Sequence, residues 1–231
     1  MEINICEMFH SIQGEGNLQG VPSVILRLTG CNLNCVWCDT SEVLKNNTVT
    51  RYTDEELLKE LEKYHCSHVV ITGGEPTLCK QINEWINLLK ENGYAVTVET
   101  NATNYAELNC DLVSMSPKLS NSVPYSSGEE AVINSHNQKR ININAIKNFI
   151  KRNDYQIKFV CSALQSDIDE VKDILEQIGT YDSTKVMIMP LADSRDALYT
   201  IQNNLVRLCI DNNLRYANRL QLQIWDNKEE N

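Results

Sequence analysis

Six short apolar runs alternate with stretches of helical period along this chain, and that alternation restricts its fold more than any other feature. The runs are PSVILRL (Pro22 to Leu28), HVVIT, AVTVET, DLVSMS, QIKFVCS and KVMIMP. Short segments of this kind suit strands buried on both faces of a parallel sheet, which needs a crossover helix between neighbours. The helices are legible in the intervals. Thr53 and Glu56 form a capping box ahead of Leu57, Leu58, Leu61 and Tyr64. Ile82, Trp85, Ile86 and Leu89 share one face, with Gly93 as the stop. ININAIKNFIKRN is helical, Ile168, Val171, Ile174, Leu175 and Ile178 fall in register, and so do Leu198, Ile201, Leu205, Leu208 and Cys209. The polar stretch from Leu119 to Arg140 reads as a long loop or insertion, and RLQLQIW as a possible extra strand.

Six βα units leave two architectures, an open doubly wound sheet and a partial (β/α)6 barrel. Polar groups follow nearly every strand: cysteines after the first, TGGEP after the second, ETN after the third, SPK after the fourth. In a barrel these ends meet at one mouth, whereas in an open sheet only those near a switch point would. The expected fold is therefore α/β, a partial (β/α)6 TIM-like barrel. With no repeat or linker, 231 residues form one expected domain. Its core spans about residues 20–215, and the segment 216–231 closes near the site.

The formal net charge of −10 argues against a surface built to neutralise phosphates, so a small-molecule partner is expected and no nucleic acid. No run approaches a membrane span. The nine cysteines are an odd number in a chain whose start lacks a signal-peptide pattern, so disulfides are not expected and the cytoplasm is the expected compartment.

Three of the nine sit within GCNLNCVWCDT, as Cys31, Cys35 and Cys38. Cys66, Cys79, Cys110, Cys161 and Cys209 are isolated and read as small buried hydrophobes. A closed zinc site wants four ligands at regular spacings, and no second pair of cysteines follows; a distant fourth ligand such as Cys79 or His65 is the weaker reading. A [4Fe–4S] cube held by three thiolates fits better and leaves one iron open for chemistry. Arg27 shares a strand face with Ile25, and Lys158 lies between Ile157 and Phe159, so each is either paired with an anion inside the barrel or snorkels to solvent. Gln13 and Glu15, beside two glycines, suit a loop packed against a polar heterocycle or a plain turn. His10, His65, His68 and His136 read as surface or satisfied histidines.

The C-x3-C-x2-C spacing with Trp37 before the last cysteine, followed by GGEP (Gly73 to Pro76), resembles the radical S-adenosylmethionine (SAM) superfamily. Within it, FHSIQGEG, the Arg27 strand, GCNL, CDT, TGGEPTL, VETN, SPK and IKFV are similar to the 7-carboxy-7-deazaguanine synthase family. The resemblance implies that the open iron chelates SAM and that a 5′-deoxyadenosyl radical takes a hydrogen atom from the substrate. That substrate would be 6-carboxy-5,6,7,8-tetrahydropterin, rearranged to 7-carboxy-7-deazaguanine with loss of ammonia, on the way to queuosine or another 7-deazapurine. On matching positions it implies cluster ligation by Cys31, Cys35 and Cys38, and magnesium at Thr40. SAM would lie against Trp37, Cys38, Asp39, Gly73, Gly74, Glu75, Ser116, Pro117 and Lys118, with the segment Met189 to Ala192 completing the adenosine site. The pterin would meet Ile12, Gln13, Gly14, Arg27 and Thr72. Glu75 would accept from the SAM ammonium, and the two glycines would let backbone approach the ligand. A homodimer and an electron donor such as flavodoxin or ferredoxin are also implied.

The C-terminus departs from that pattern. Many members end in R-L-H and then Trp-Gly, whereas here Gln221 replaces the histidine and Asp226 the glycine. A radical SAM enzyme for a related small heterocycle and a glycyl-radical activase are the alternatives, and a non-catalytic metal-binding protein is a third.

Overall fold

In the computed structural model, residues 2–41 and 49–226 are described. One nine-stranded sheet organises them. Its strands are β1 (Glu2–Ile12), β2 (Pro22–Leu28), β3 (Thr50–Thr53), β4 (His68–Gly73), β5 (Ala95–Thr100), β6 (Leu112–Met115), β7 (Tyr155–Cys161), β8 (Val186–Pro190) and β9 (Arg215–Tyr216), in the order β3-β1-β2-β4-β5-β6-β7-β8-β9. From β2 to β9 every pairing is parallel, while β1 runs antiparallel to β2 and β3. The six expected strands are the central six. Among the described residues the edge strands β3 and β9 do not pair, so the barrel is partial.

The helices are α1 (Asp54–Glu62), α2 (Ile82–Glu91), α3 (Glu130–Lys139), α4 (Ile143–Arg152), α5 (Gln165–Ile178), α6 (Arg195–Asp211) and α7 (Leu220–Trp225). The capping box holds: Thr53 Oγ1 accepts from the Glu56 amide, and Glu56 Oε2 accepts from the Thr53 amide at 2.9 Å. Helix α2 buries Ile82, Trp85, Ile86 and Leu89, the four residues its period selects. No helix among the described residues is long and apolar enough to cross a membrane.

Register sorts the strands into two faces. Leu26 stands opposite Ile71, Ile71 opposite Val98, and Val98 opposite Val113. All are buried with Leu61, Trp85, Phe149 and Val171 in one helix-backed core. Burying each such side chain is worth about 1.5–3 kcal/mol relative to leaving it in water. The alternate residues must face the other way. Val70 lies opposite Ile25, Thr72 opposite Arg27, Ser114 opposite Glu99 and Gln156, and Met187 opposite Lys158.

Three sequence expectations need correction, and each failure has a local cause. Strand β1 precedes the supposed first strand; a register shift between Ile5 and Glu7 interrupts its period-two pattern. The Leu119 to Arg140 stretch contains helix α3, which has no apolar stripe and fully buries only His136. RLQLQIW alternates like a strand but forms the six-residue helix α7. Its start is tied to the first hairpin, where the Leu220 amide donates to Gly14 O, and Leu222 packs with Ala192 and Leu198.

A candidate active site at the carboxyl ends of the parallel strands

The second face of the sheet lines a cleft of about 810 Å³. Its wall is built from Ile25 and Arg27 of β2, Val70 and Thr72 of β4, Glu99 of β5, Ser114 of β6, Lys158 and Val160 of β7, and Met189 of β8. The loops that follow these strands complete the rim, which includes Cys31, Cys35 and Cys38.

The cysteine loop rests on the GGEP turn. An atom at the Cβ position of Gly74 would lie 1.8 Å from Gly30 O, and one on Gly73 would lie 2.2 Å from Leu28 O. Gly73 also has φ of +138°, which side chains other than glycine rarely adopt. The Gly74 and Glu75 amides donate to Leu28 O and Gly30 O, stitching the two loops together. The two glycines line the cleft, yet the close approach they permit is to the protein's own cysteine loop. Glu75 is 1% exposed. Its buried carboxylate accepts from the Thr77 amide, Thr77 Oγ1, Thr100 Oγ1 and the Asn101 amide, at 2.6–3.0 Å. Three of these bonds fall on Oε1 and one on Oε2, so Glu75 ties the turn after β4 to the end of β5.

The three thiols form no disulfide. Burial pushes Cys35 up to about 11 and raises Cys31 as well, so a metal must displace a proton from each. The Leu33 amide and Asn101 Nδ2 point at Cys31 Sγ, at 3.5 and 3.9 Å, and donors so placed favour a thiolate. Among the described residues no three His, Cys, Asp or Glu side chains gather as a single ion requires. Free thiols on one rim, served by N–H donors, fit an iron–sulfur cluster.

A charge network lies across the cleft. Lys158, only 2% exposed, donates to Glu15 Oε2 and Glu99 Oε1, both at 2.9 Å. Arg219 donates to Glu15 Oε1 at 3.1 Å and Asp39 Oδ2 at 2.9 Å. Gln221 Nε2 adds a third donor to the Glu15 carboxylate, on Oε1 at 3.0 Å. Burial alone would raise the Glu15 carboxyl, but Lys158 and Arg219 hold it well below the usual carboxylate range. Burial would likewise lower Lys158, and the two carboxylates overcome it, keeping the ammonium above its ordinary value. Gln13 completes the cluster by donating to Glu99 and accepting from the Glu15 amide. The choice between ligand and snorkel is thus settled for Lys158, whose anions are two glutamates of the chain. Arg27 pairs through Nε with Glu7 at 2.6 Å. Among the described residues no other Arg27 side-chain bond is seen, and the residue lines the cleft.

Nearly all the residues expected from sequence meet here: Ile12, Gln13, Gly14, Arg27, Trp37, Asp39, Thr40, Thr72, Ser116 and Lys118 line the same cleft as the cysteines. Pro117 and Glu75 are buried and do not form its lining. Lys118 Nζ sits 5.3 Å from the centre of the Trp37 ring and donates to Ser116 Oγ. Leu191 and Ala192 complete the rim, as do Gln221, Leu222 and Trp225 of α7. Three participants had no assigned role: Glu99, Arg219 and Asn101. Glu99 was visible as an acid at the end of an apolar strand; nothing local marks Arg219.

Asp226, where a glycine was expected, keeps a conformation suited to glycine, with φ of 63° and ψ of −145°. Its Oδ1 accepts from the Arg195 amide at 2.7 Å and so caps α6. Strain in that region costs about 1–3 kcal/mol. Asp226→Gly is therefore expected to be more stable than Asp226→Ala by about that amount, since both lose the cap and only alanine keeps the strain. Equal melting curves for the two variants would mean an unstrained turn.

Residues 25–153 match the model of the radical SAM superfamily. The chain is 34% identical to the 7-carboxy-7-deazaguanine synthase of Halobacterium salinarum, over 98% of its own length and 91% of that protein's. It is 35% identical to the enzyme of the same name from Rhodopirellula baltica, with 97% and 87% covered. The crystal structure of QueE from Escherichia coli has the same fold, with a TM-score of 0.69 at 24% identity and 95% of each chain covered.

Proposed function

Because the chain belongs to the radical SAM superfamily, and within it to the 7-carboxy-7-deazaguanine synthase family, we infer that it is a carbon–nitrogen lyase that turns 6-carboxy-5,6,7,8-tetrahydropterin into 7-carboxy-7-deazaguanine with release of ammonia. The observation that carries this reading is the pairing, across one cleft, of three free thiols with a preorganised set of charges.

Cys31, Cys35 and Cys38 hold the [4Fe–4S] cluster, which with SAM supplies the one-electron chemistry of the superfamily. The chain's own residues do the rest. Gly73, Gly74, Trp37, Asp39, Ser116 and Lys118 shape the SAM side of the cleft, with Glu75 and Pro117 as buried supports behind it. Arg27, which lines the cleft, takes the substrate carboxylate, a match of planar fork to planar anion. Ile12, Gln13, Gly14 and Thr72 contact the pterin ring. Thr40 reaches a magnesium ion, which commonly takes few protein ligands and completes its shell with water and substrate oxygens. The C-terminal residues from Tyr216 close the substrate side of a single radical SAM domain through Arg219, Gln221 and Trp225; residues 227–231 lie outside the described residues. A homodimer reduced by a flavodoxin or ferredoxin completes the proposal, and the absence of a membrane-spanning helix among the described residues accords with a cytoplasmic enzyme.

The test is anaerobic reconstitution with iron and sulfide, reduction, and addition of SAM and carboxytetrahydropterin. Carboxydeazaguanine and ammonia are expected in equal amounts. SAM cleavage without that product would move the assignment to a related heterocycle, as the Gln221 departure allows. A colourless protein that takes up a single zinc would end the enzymatic reading.

A further inference from the structure

The cysteine loop supplies little of its own hydrogen bonding. Within it, the Cys38 amide donates to Cys35 O, and the Leu33 amide approaches Cys31 Sγ. Of the donors lying between the cysteines, Asn32 Nδ2 is met by Thr103 Oγ1 at 2.7 Å, and three others are met by one neighbouring segment, Leu119 to Arg140. The Asn34 amide donates to His136 Nδ1 at 3.1 Å, the Val36 amide to Ser122 O at 2.9 Å, and Trp37 Nε1 to Asn121 O at 3.0 Å.

His136 is 1% exposed and is the only fully buried residue of α3, whose polar surface gives the helix little other reason to dock. Accepting at Nδ1 fixes the tautomer, so Nε2 carries the proton and donates to Ser122 Oγ at 2.9 Å. Ser122 Oγ then donates to Leu119 O at 2.6 Å. The segment is itself anchored to the barrel: Asn121 Nδ2 donates to Val160 O and Asp167 Oδ2, and Arg140 pairs with Glu170. A relay of donors therefore runs from the cysteine loop through an imidazole into a segment fixed on β7 and α5.

We propose that His136 is a positioning residue for the cysteine loop, its neutral imidazole holding the Asn34 amide so that Cys31, Cys35 and Cys38 are set in place before any cluster arrives. The cargo named here rests on the radical SAM reading above, but the brace is a property of the metal-free chain and is tested there. The reduced, metal-free protein is compared with His136→Phe, which fills the space and removes the acceptor. His136→Gln can still accept at Oε1 and donate at Nε2.

In His136→Phe, amide hydrogen exchange at Asn34 and Val36 should quicken about five- to tenfold, the scale of one lost hydrogen bond. Iodoacetamide labelling of the three loop cysteines should quicken with it. His136→Gln should stay within about threefold of the parent, on the same scale. Exchange in β4 and α2 should not change in either variant. If His136→Phe fails to fold, Ser122→Ala reads out the same relay: the imidazole loses its anchor, and Asn34 exchange should rise while Val36, bonded to the Ser122 carbonyl, changes less. Unchanged exchange at Asn34 in a folded His136→Phe, or acceleration spread evenly over the sheet, would overturn the proposal. Loosening confined to the loop, in a chain whose parent takes up no iron–sulfur cluster, would keep the brace and sink the reading of its cargo.

Discussion

Lys158→Met is expected to cost the folded chain about 3–5 kcal/mol, the usual effect of removing one member of a buried ion pair. Methionine fills the space of the lysine stem, so packing changes little and the loss is electrostatic. Glu15 and Glu99 would then face each other's charge, with only Arg219, Gln221 and Gln13 to compensate. Urea denaturation of the metal-free protein measures this directly. Adding Glu99→Gln removes one stranded charge and should recover at least about 1 kcal/mol, the coupling expected between residues in contact.

The pH dependence has a definite sign. In the parent, Glu15 is held below its ordinary value, so its stabilising effect is present above about pH 4.3, the unfolded value. It is lost only as pH falls through the depressed folded value. Lys158 is held above its ordinary value, so its contribution is full below about pH 10.4 and is lost as pH rises through the raised folded value. Between those limits this network leaves stability flat. In Lys158→Met the stranded carboxylates instead favour protonation, so the deficit should shrink as pH falls toward 5. A deficit under about 1 kcal/mol that ignores pH would show that the cluster is held by packing and not by charge.

Gly74→Ala is expected to abolish cluster assembly, leaving less than about a tenth of the parent's iron and sulfide, because overpacking here falls on the loop itself. The new methyl would sit 1.8 Å from Gly30 O and 2.9 Å from the Cys31 amide nitrogen. Both are backbone atoms, so no rotamer change relieves the contact and the segment carrying Cys31 must move. Overpacking of this kind costs about 1–3 kcal/mol globally, enough to lower the melting temperature by a few degrees in a chain of this size. Gly93→Ala is the control. Gly93 has φ of +86° but nothing within 4 Å of the added carbon, so strain should cost it about 1 kcal/mol without touching the loop. Iron retention by Gly74→Ala equal to that of Gly93→Ala would show that the GGEP turn does not seat the cysteines.

What could be read from the sequence was whatever neighbouring residues decide among themselves. The Thr53 cap, the apolar face of α2 and the spacing of the cysteines lie within one or two turns of chain, and each appears in the structure where the pattern puts it. The failures are places where the local pattern is silent or misleading. Helix α3 has no stripe because one histidine provides its buried contact. Helix α7 alternates like a strand, yet it is tied to Gly14 and Ala192 at the cleft rim.

The sequence by itself determined six buried strands, the helices between them and three thiols on one strand-end loop, because periodicity and spacing are properties of adjacent residues. Only the tertiary structure decided what those parts face. Glu15 meets Lys158 across 143 positions and Arg219 across 204, and Asn34 meets His136 across 102. Such partners are chosen by sheet register and by where the loops fold back over the cleft. The same separation explains why Gly74, legible as a turn residue, proves to be glycine for the sake of Gly30: close contact between two backbones leaves no mark on either segment alone.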